Sequence, residues 1–321
     1  MAVYTDVSDA ELSAFLGRYD VGALLSCKGI AEGVENSNYF VHTEGGNFIL
    51  TLYEKRVSAD DLPFFIGLMD HLASRGLNCP RPVRDRGGEA LGTLNGRPAA
   101  MVTFLDGVWI KQPSAEHCGA LGRAMAELHR AGADFSMRRP NDLSVASWPA
   151  LFAAAGQGAD AVAPGLSALV EEELELLAAR WPRGLPEGVI HADLFPDNVF
   201  FLGDRLSGLI DFYFACTDAF AYDVAVCLNA WCFAEGGAFD PARGRALLDG
   251  YRAVRPLSRG EVEALPTLAR GAALRFMLTR LVDWLNVPPG ALVKPKDPRE
   301  YLAKLRFHRT VSTAEAYGWH D

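Results

Sequence analysis

His191-Ala192-Asp193-Leu194-Phe195-Pro196-Asp197-Asn198, followed by Leu209-Ile210-Asp211-Phe212, is the stretch that decides how this chain reads. Ahead of it, Gly188-Val-Ile-His191 forms a short apolar strand delivering the motif to a tight loop, and Val199 to Leu202 with Leu206 to Ile210 form a hairpin turning at Gly203-Asp204. That hairpin is expected to return Asp211 to the side of Asn198. Phosphoryl transfer needs one carboxylate to orient the attacking hydroxyl and oxygen ligands to hold Mg²⁺ against the phosphates. The H-x-D-x-x-x-x-N spacing offers Asp193 as that base, and the amide oxygen of Asn198 with the carboxylate of Asp211 as hard metal ligands. Taken singly, the three could be a loop acid, a turn residue and a strand-end cap. Taken together they favour chemistry, because an acid inside Leu209-Ile-Asp-Phe-Tyr-Phe214 is costly to bury without a partner or an ion. His191 is expected to orient the loop and Asp197 to be solvated.

With 321 residues, half of them hydrophobic, the chain can bury a large core in one domain or two lobes. Its net charge of −9 argues against nucleic acid or an anionic membrane as partner, so any phosphate must be held by local groups. Six cysteines without a Cys-x-x-Cys read as reduced thiols rather than a zinc site or a disulfide framework. Neither a secretory leader nor a membrane-length apolar run is visible, which points to the cytoplasm.

Strands come first and helices later, the order of an α+β fold. A capping box at Ser8 and Glu11 opens a short helix. Strands at residues 23–28, 37–43 and 48–53 form an antiparallel meander, and residues 60–75 carry apolar side chains at helical spacing. Further strands are expected at 81–84 with 91–94, and at 97–105. Asp106-Gly107 then marks the boundary of a lobe spanning 1–105 from one spanning 106–321. In the latter, helices are expected near 114–131, 147–155, 166–181, 218–234, 241–253, 258–286 and 298–317, and the small-residue run 153–165 reads as a mobile connection.

The H-x-D-x-x-x-x-N and I-D-F motifs, with Leu121-Gly-Arg-Ala-Met-Ala-Glu-Leu-His129 and Asp223-Val-Ala225, resemble the aminoglycoside phosphotransferase and choline kinase superfamily over nearly the whole chain. Residues 47–54 and 274–284 most resemble its bacterial homoserine kinases. The resemblance implies a protein-kinase-like fold, with a small antiparallel-sheet lobe carrying one long helix and a larger, mainly helical lobe. It also implies ATP and Mg²⁺ as cofactors, and Asp223 bracing the loop that bears Asp193.

For the nucleotide, Gly33, Ser37 and Asn38 lie in a glycine-containing turn whose backbone could approach phosphates. Met101 to Leu105, with Thr103 and Leu105, takes the position of the adenine hinge. Thr51 stands where a kinase usually places its strand Lys, a departure that Lys55 or Arg56 could offset from the strand end. For the acceptor, Arg275 and Arg280 are the cationic candidates, five apart on one helix, one facing the site and the other pairing with Asp283. Asp218, Tyr222, Asn229 and Trp231 follow the metal Asp and could line the same site. The first hypothesis is an ATP-dependent kinase of the homoserine hydroxyl, acting as a monomer or small homo-oligomer. Other small hydroxyl substrates (choline, ethanolamine, methylthioribose, an aminoglycoside) stay open, and from another class so does a nucleotide-binding pseudokinase scaffold, which Thr51 favours.

Overall fold

The computed structural model describes residues 5–30, 36–54, 58–287 and 295–320. They form two compact units, Met1–Gly107 with Ser207–Tyr213, and Val108–Leu206 with Phe214–Asp321. The return of 207–213 to the first unit is something a single cut in the chain cannot express.

The first unit opens with α1 (Asp9–Leu16), whose capping box is formed: Ser8 Oγ accepts from the Glu11 N–H, and the Glu11 carboxylate accepts from the Ser8 N–H at 2.8 Å. This orients Leu12, Phe15 and Leu16 into the core. Strands β1 (Leu24–Gly29), β2 (Ser37–Thr43) and β3 (Gly46–Leu52) precede α2 (Leu62–Ser74), and β4 (Leu91–Leu94) and β5 (Arg97–Thr103) follow it. They pair antiparallel in the order β1-β2-β3-β5-β4, with Asn38 opposite Thr51 and Thr51 opposite Ala100. Val41, Leu50, Leu52 and Met101 fill the sheet's inner face. The strand expected at 81–84 is reduced to one bridge, Pro82 to Val102, because Pro80 and Pro82 have no N–H to give a ladder. The returning segment is tied in by Asn78, whose Nδ2 donates to the Ser207 carbonyl and whose carbonyl accepts from Leu209 N at 3.0 Å. Gly208 is required there, since a Cβ would stand 2.7 Å from Leu105 Cδ1.

The second unit runs β6 (Val108–Trp109), α3 (Ala115–Ala131), α4 (Trp148–Ala154), α5 (Ala159–Val162), α6 (Leu166–Arg180), β7 (Glu187–Ile190) and β8 (Val199–Leu202). After β8 the chain turns at Gly203, φ +60°, into β9 (Arg205–Leu209), which leads into the returning segment. Then come β10 (Cys216–Ala219), α7 (Phe220–Trp231), α8 (Pro241–Arg252), α9 (Arg259–Leu285) and α10 (Pro298–His308). Helices α3 and α8 approach through glycines: a Cβ on Gly122 would fall 2.1 Å from the Leu247 carbonyl oxygen. Three expectations are corrected. The helix read as 218–234 is shorter, because residues 216–219 pair with β7 as β10. The helix read as 298–317 ends at His308, since Thr310, Val311 and Thr313 are poor helix formers, and a 3-10 turn, Ala314–Tyr317, follows. The run 153–165 is not a plain connection but holds a 3-10 turn, Gly156–Gly158, and α5.

Candidate active site

The loop after β7 is held from beneath by one buried carboxylate. Asp223 Oδ1 accepts from Ala192 N at 2.8 Å, and its Oδ2 accepts from His191 N at 2.9 Å and meets His129 Nε2 at 3.0 Å. His129 in turn meets the Tyr251 hydroxyl through Nδ1 at 2.8 Å. Burial alone would raise the Asp223 carboxyl, but the hydrogen bond and charge of His129, the charge of His191 and the His191 N–H outweigh it and hold the group below its ordinary value. The bonds also fix Ala192 at φ +62°, a left-handed conformation that costs a non-glycine residue free energy. That kink presents Asp193.

Asp193 retains 18% side-chain exposure, and Arg275 Nη1 stands 3.9 Å from its Oδ1. The Arg275 guanidinium lies 3.8 Å from the Phe276 ring centroid and is itself buried. Asn198 ends the 3-10 turn Pro196–Asn198 and donates through Nδ2 to the Asp193 carbonyl at 2.8 Å and to its Oδ2 at 3.2 Å. The amide nitrogen is thus spent on the loop, and Oδ1 is the atom of a kind that hard cations take. Asp197 is exposed, 3.6 Å from Lys296 Nζ.

The residues read as acceptor-lining divide. Trp231 is buried, and its Nε1 donates to the Leu194 carbonyl at 2.7 Å, which ties it to the loop from the core. Asn229 is also core, its Nδ2 donating to the carbonyls of Ala225 and Ala269 and its Oδ1 meeting His308 Nε2. Arg280 pairs with Glu300 at 2.6 Å and donates to the Asp297 carbonyl, a structural role. Asp218 accepts from Asn141 Nδ2 at 2.7 Å, and burial pushes its carboxyl up against the hydrogen bonds that lower it. Tyr222 is buried, edge-on to Trp181 at 5.8 Å, with its phenol raised by burial.

In the first unit Asp211 is exposed with φ +64°, so its position in an apolar run reflects a turn rather than burial. Beside it, Tyr213 meets the Tyr53 hydroxyl at 3.1 Å, and burial raises the Tyr213 phenol to about 12. Thr51 is buried and donates to Asn38 Oδ1 at 2.8 Å. Ser37 is also buried, donating to Glu54 Oε1 at 2.8 Å and accepting from Thr5 N at 3.1 Å. Thr103 Oγ1 accepts from Arg81 N at 2.9 Å, and Leu105 faces Gly208. Gly33, Lys55 and Arg56 lie outside the described residues. Sequence reading singled out neither Tyr213 nor Asn141, which contact Tyr53 and Asp218.

A phosphotransferase is the class that this loop and this fold define. The sequence matches the phosphotransferase enzyme family over residues 26–257, and the chain belongs to that family. It is similar to the homoserine kinase of Xanthobacter autotrophicus, 68% identical over 318 residues and 99% of each chain. It is similar also to the homoserine kinase of Methylobacterium radiotolerans, 69% identical over 318 residues and again 99% of each. Among solved structures it shares its fold with an amicoumacin kinase (TM-score 0.71, 15% identity, 95% of this chain and 92% of that one). Choline kinase from Cryptosporidium parvum shares it too (TM-score 0.66, 12% identity, 94% of each). The fold is therefore the α+β, protein-kinase-like one. No helix among the described residues is long and apolar enough to cross a membrane.

Proposed function

We propose that this protein transfers the γ-phosphoryl group of ATP to the side-chain hydroxyl of L-homoserine. The observation that carries the substrate is the full-length identity to proteins named homoserine kinase. The local geometry agrees, because Arg275 offers a cation for an amino-acid carboxylate at 3.9 Å from the acid that would face the hydroxyl. Asp193 takes the hydroxyl proton as the acceptor oxygen bonds to the γ-phosphorus, and the bond from that phosphorus to the β–γ bridging oxygen breaks, releasing ADP. Asn198 and Asp211 are the residues we assign to Mg²⁺. One amide oxygen and one carboxylate suit an ion that takes its remaining ligands from phosphates and water. When bound, the ion offsets charge on those phosphates. Nucleotide contacts are assigned to Gly33, Asn38, Thr51, Thr103 and Leu105, and acceptor contacts to Arg275, Asp218 and Tyr222. Ser37, read from the sequence as a nucleotide contact, is buried and bonded to Glu54 and Thr5, and we assign it to supporting that strand instead. We place the enzyme in the cytoplasm as a monomer or small homo-oligomer. A coupled ADP-release screen over homoserine, choline, methylthioribose and kanamycin tests the reading. Turnover with homoserine alone is expected, and ATP binding without any turnover would instead support a scaffold.

A further inference from the structure

Tyr301 on α10 is fully buried, and among the described residues its hydroxyl has no hydrogen-bond partner. A hydroxyl sealed away unpaired costs free energy that phenylalanine in its place would not. Its surroundings suggest why it is there. The ring stands 5.3 Å from Phe276 and 6.4 Å from Phe195, and the Arg280 guanidinium and Lys304 ammonium each lie 4.4 Å from its centroid. Phe195 is two residues beyond Asp193, and Phe276 carries the Arg275 guanidinium on its ring. The ring thus packs on aromatics neighbouring Asp193 and Arg275, and burial, then the charges of Arg280, Glu300, Asp193 and Arg275, act on its hydroxyl. Arg280 and Lys304 share a single carboxylate, Glu300, at 2.6 and 2.7 Å. Arg275 stands 3.9 Å from Asp193, so a cation next to the proposed base is available to an acceptor's carboxylate.

We propose that the Tyr301 hydroxyl donates a hydrogen bond to the α-carboxylate of an amino-acid acceptor, beside the Arg275 guanidinium. The inference rests on the homoserine reading above. It makes Tyr301 a specificity-determining residue that separates amino-acid acceptors from amino alcohols of the same length. The test is Tyr301→Phe, with homoserine and ATP varied in turn and thermal unfolding followed in parallel. Losing one hydrogen bond to a charged group should raise KM for homoserine about 10- to 100-fold. KM for ATP should stay as in the wild type, and Tm should be equal or higher because an unpaired buried oxygen has gone. An unchanged homoserine KM overturns the inference while leaving the substrate assignment intact. A lower Tm with both KM values raised together also overturns it, since that is the mark of a structural residue. Failure of the wild type itself to turn over homoserine refutes the substrate reading, and this inference with it.

Discussion

Asp223→Asn should destabilise the protein and slow it, by amounts that follow from three distances. The carboxylate serves Ala192 N at 2.8 Å, His191 N at 2.9 Å and His129 Nε2 at 3.0 Å. An amide oxygen in the Oδ2 position can keep His191 and His129, but the new NH₂ then faces the Ala192 N–H, donor against donor. Losing a hydrogen bond to a charged acceptor and stranding a buried N–H together cost about 2–4 kcal/mol. Net stability of a domain is about 5–15 kcal/mol, so the loss should be plain in urea titrations as a lower midpoint at unchanged m. Ala192 is held at φ +62° partly by the bond that disappears, so the loop carrying Asp193 should relax toward ordinary backbone geometry. At a temperature where the variant is folded, kcat should therefore fall by about tenfold or more. Stability within about 0.5 kcal/mol of wild type together with unchanged kcat would refute the claim that this buried acid sets the loop.

Gly122→Ala places a Cβ 2.1 Å from the Leu247 carbonyl oxygen and 2.8 Å from Tyr251 N, both backbone. The two helices must part, and thermal melts should show a loss of about 3 kcal/mol, whereas an unaltered Tm would speak against so close a crossing. His308, buried and near the charges of Lys304 and Arg270, titrates at about 3 rather than 6.5. The unfolded chain therefore takes up a proton from pH about 6.5 downward that the native state refuses until about 3, so stability falls as pH drops through that window and levels off below it. His308→Gln should remove about 1 kcal/mol of the stability lost between pH 6 and pH 5; an identical pH slope in the variant would contradict the buried neutral imidazole.

What could be read in advance was what is local in the chain. The Ser8 and Glu11 box announces a helix start that the structure forms, and the spacing of Asp193, Asn198 and Asp211 is likewise local, its chemical meaning resting on the proposal above. Apolar periodicity found α2 and α9 for the same reason. What could not be read shares a cause in long-range partners. Trp231 follows the motif closely enough to suggest a site wall, but its indole is committed to the Leu194 carbonyl, a contact 37 positions away. One of Arg275 and Arg280 was expected to pair with Asp283 on the same helix, and Arg280 pairs with Glu300 on α10. Asp211 looked buried because its neighbours are apolar, and a left-handed turn exposes it instead. Tyr301 could not be distinguished from a core aromatic by pattern, because what marks it is the lack of a hydrogen-bond partner among the described residues.

Phosphoryl transfer by this site depends on Asp193 accepting the proton of the acceptor hydroxyl, and the most direct test is kcat for homoserine in Asp193→Asn, measured beside ATP affinity. The substitution keeps size and shape and removes the basic oxygen. Turnover should drop by about 10²- to 10⁴-fold while ATP binds and the chain stays folded. A variant that turns over at the wild-type rate would contradict the assignment.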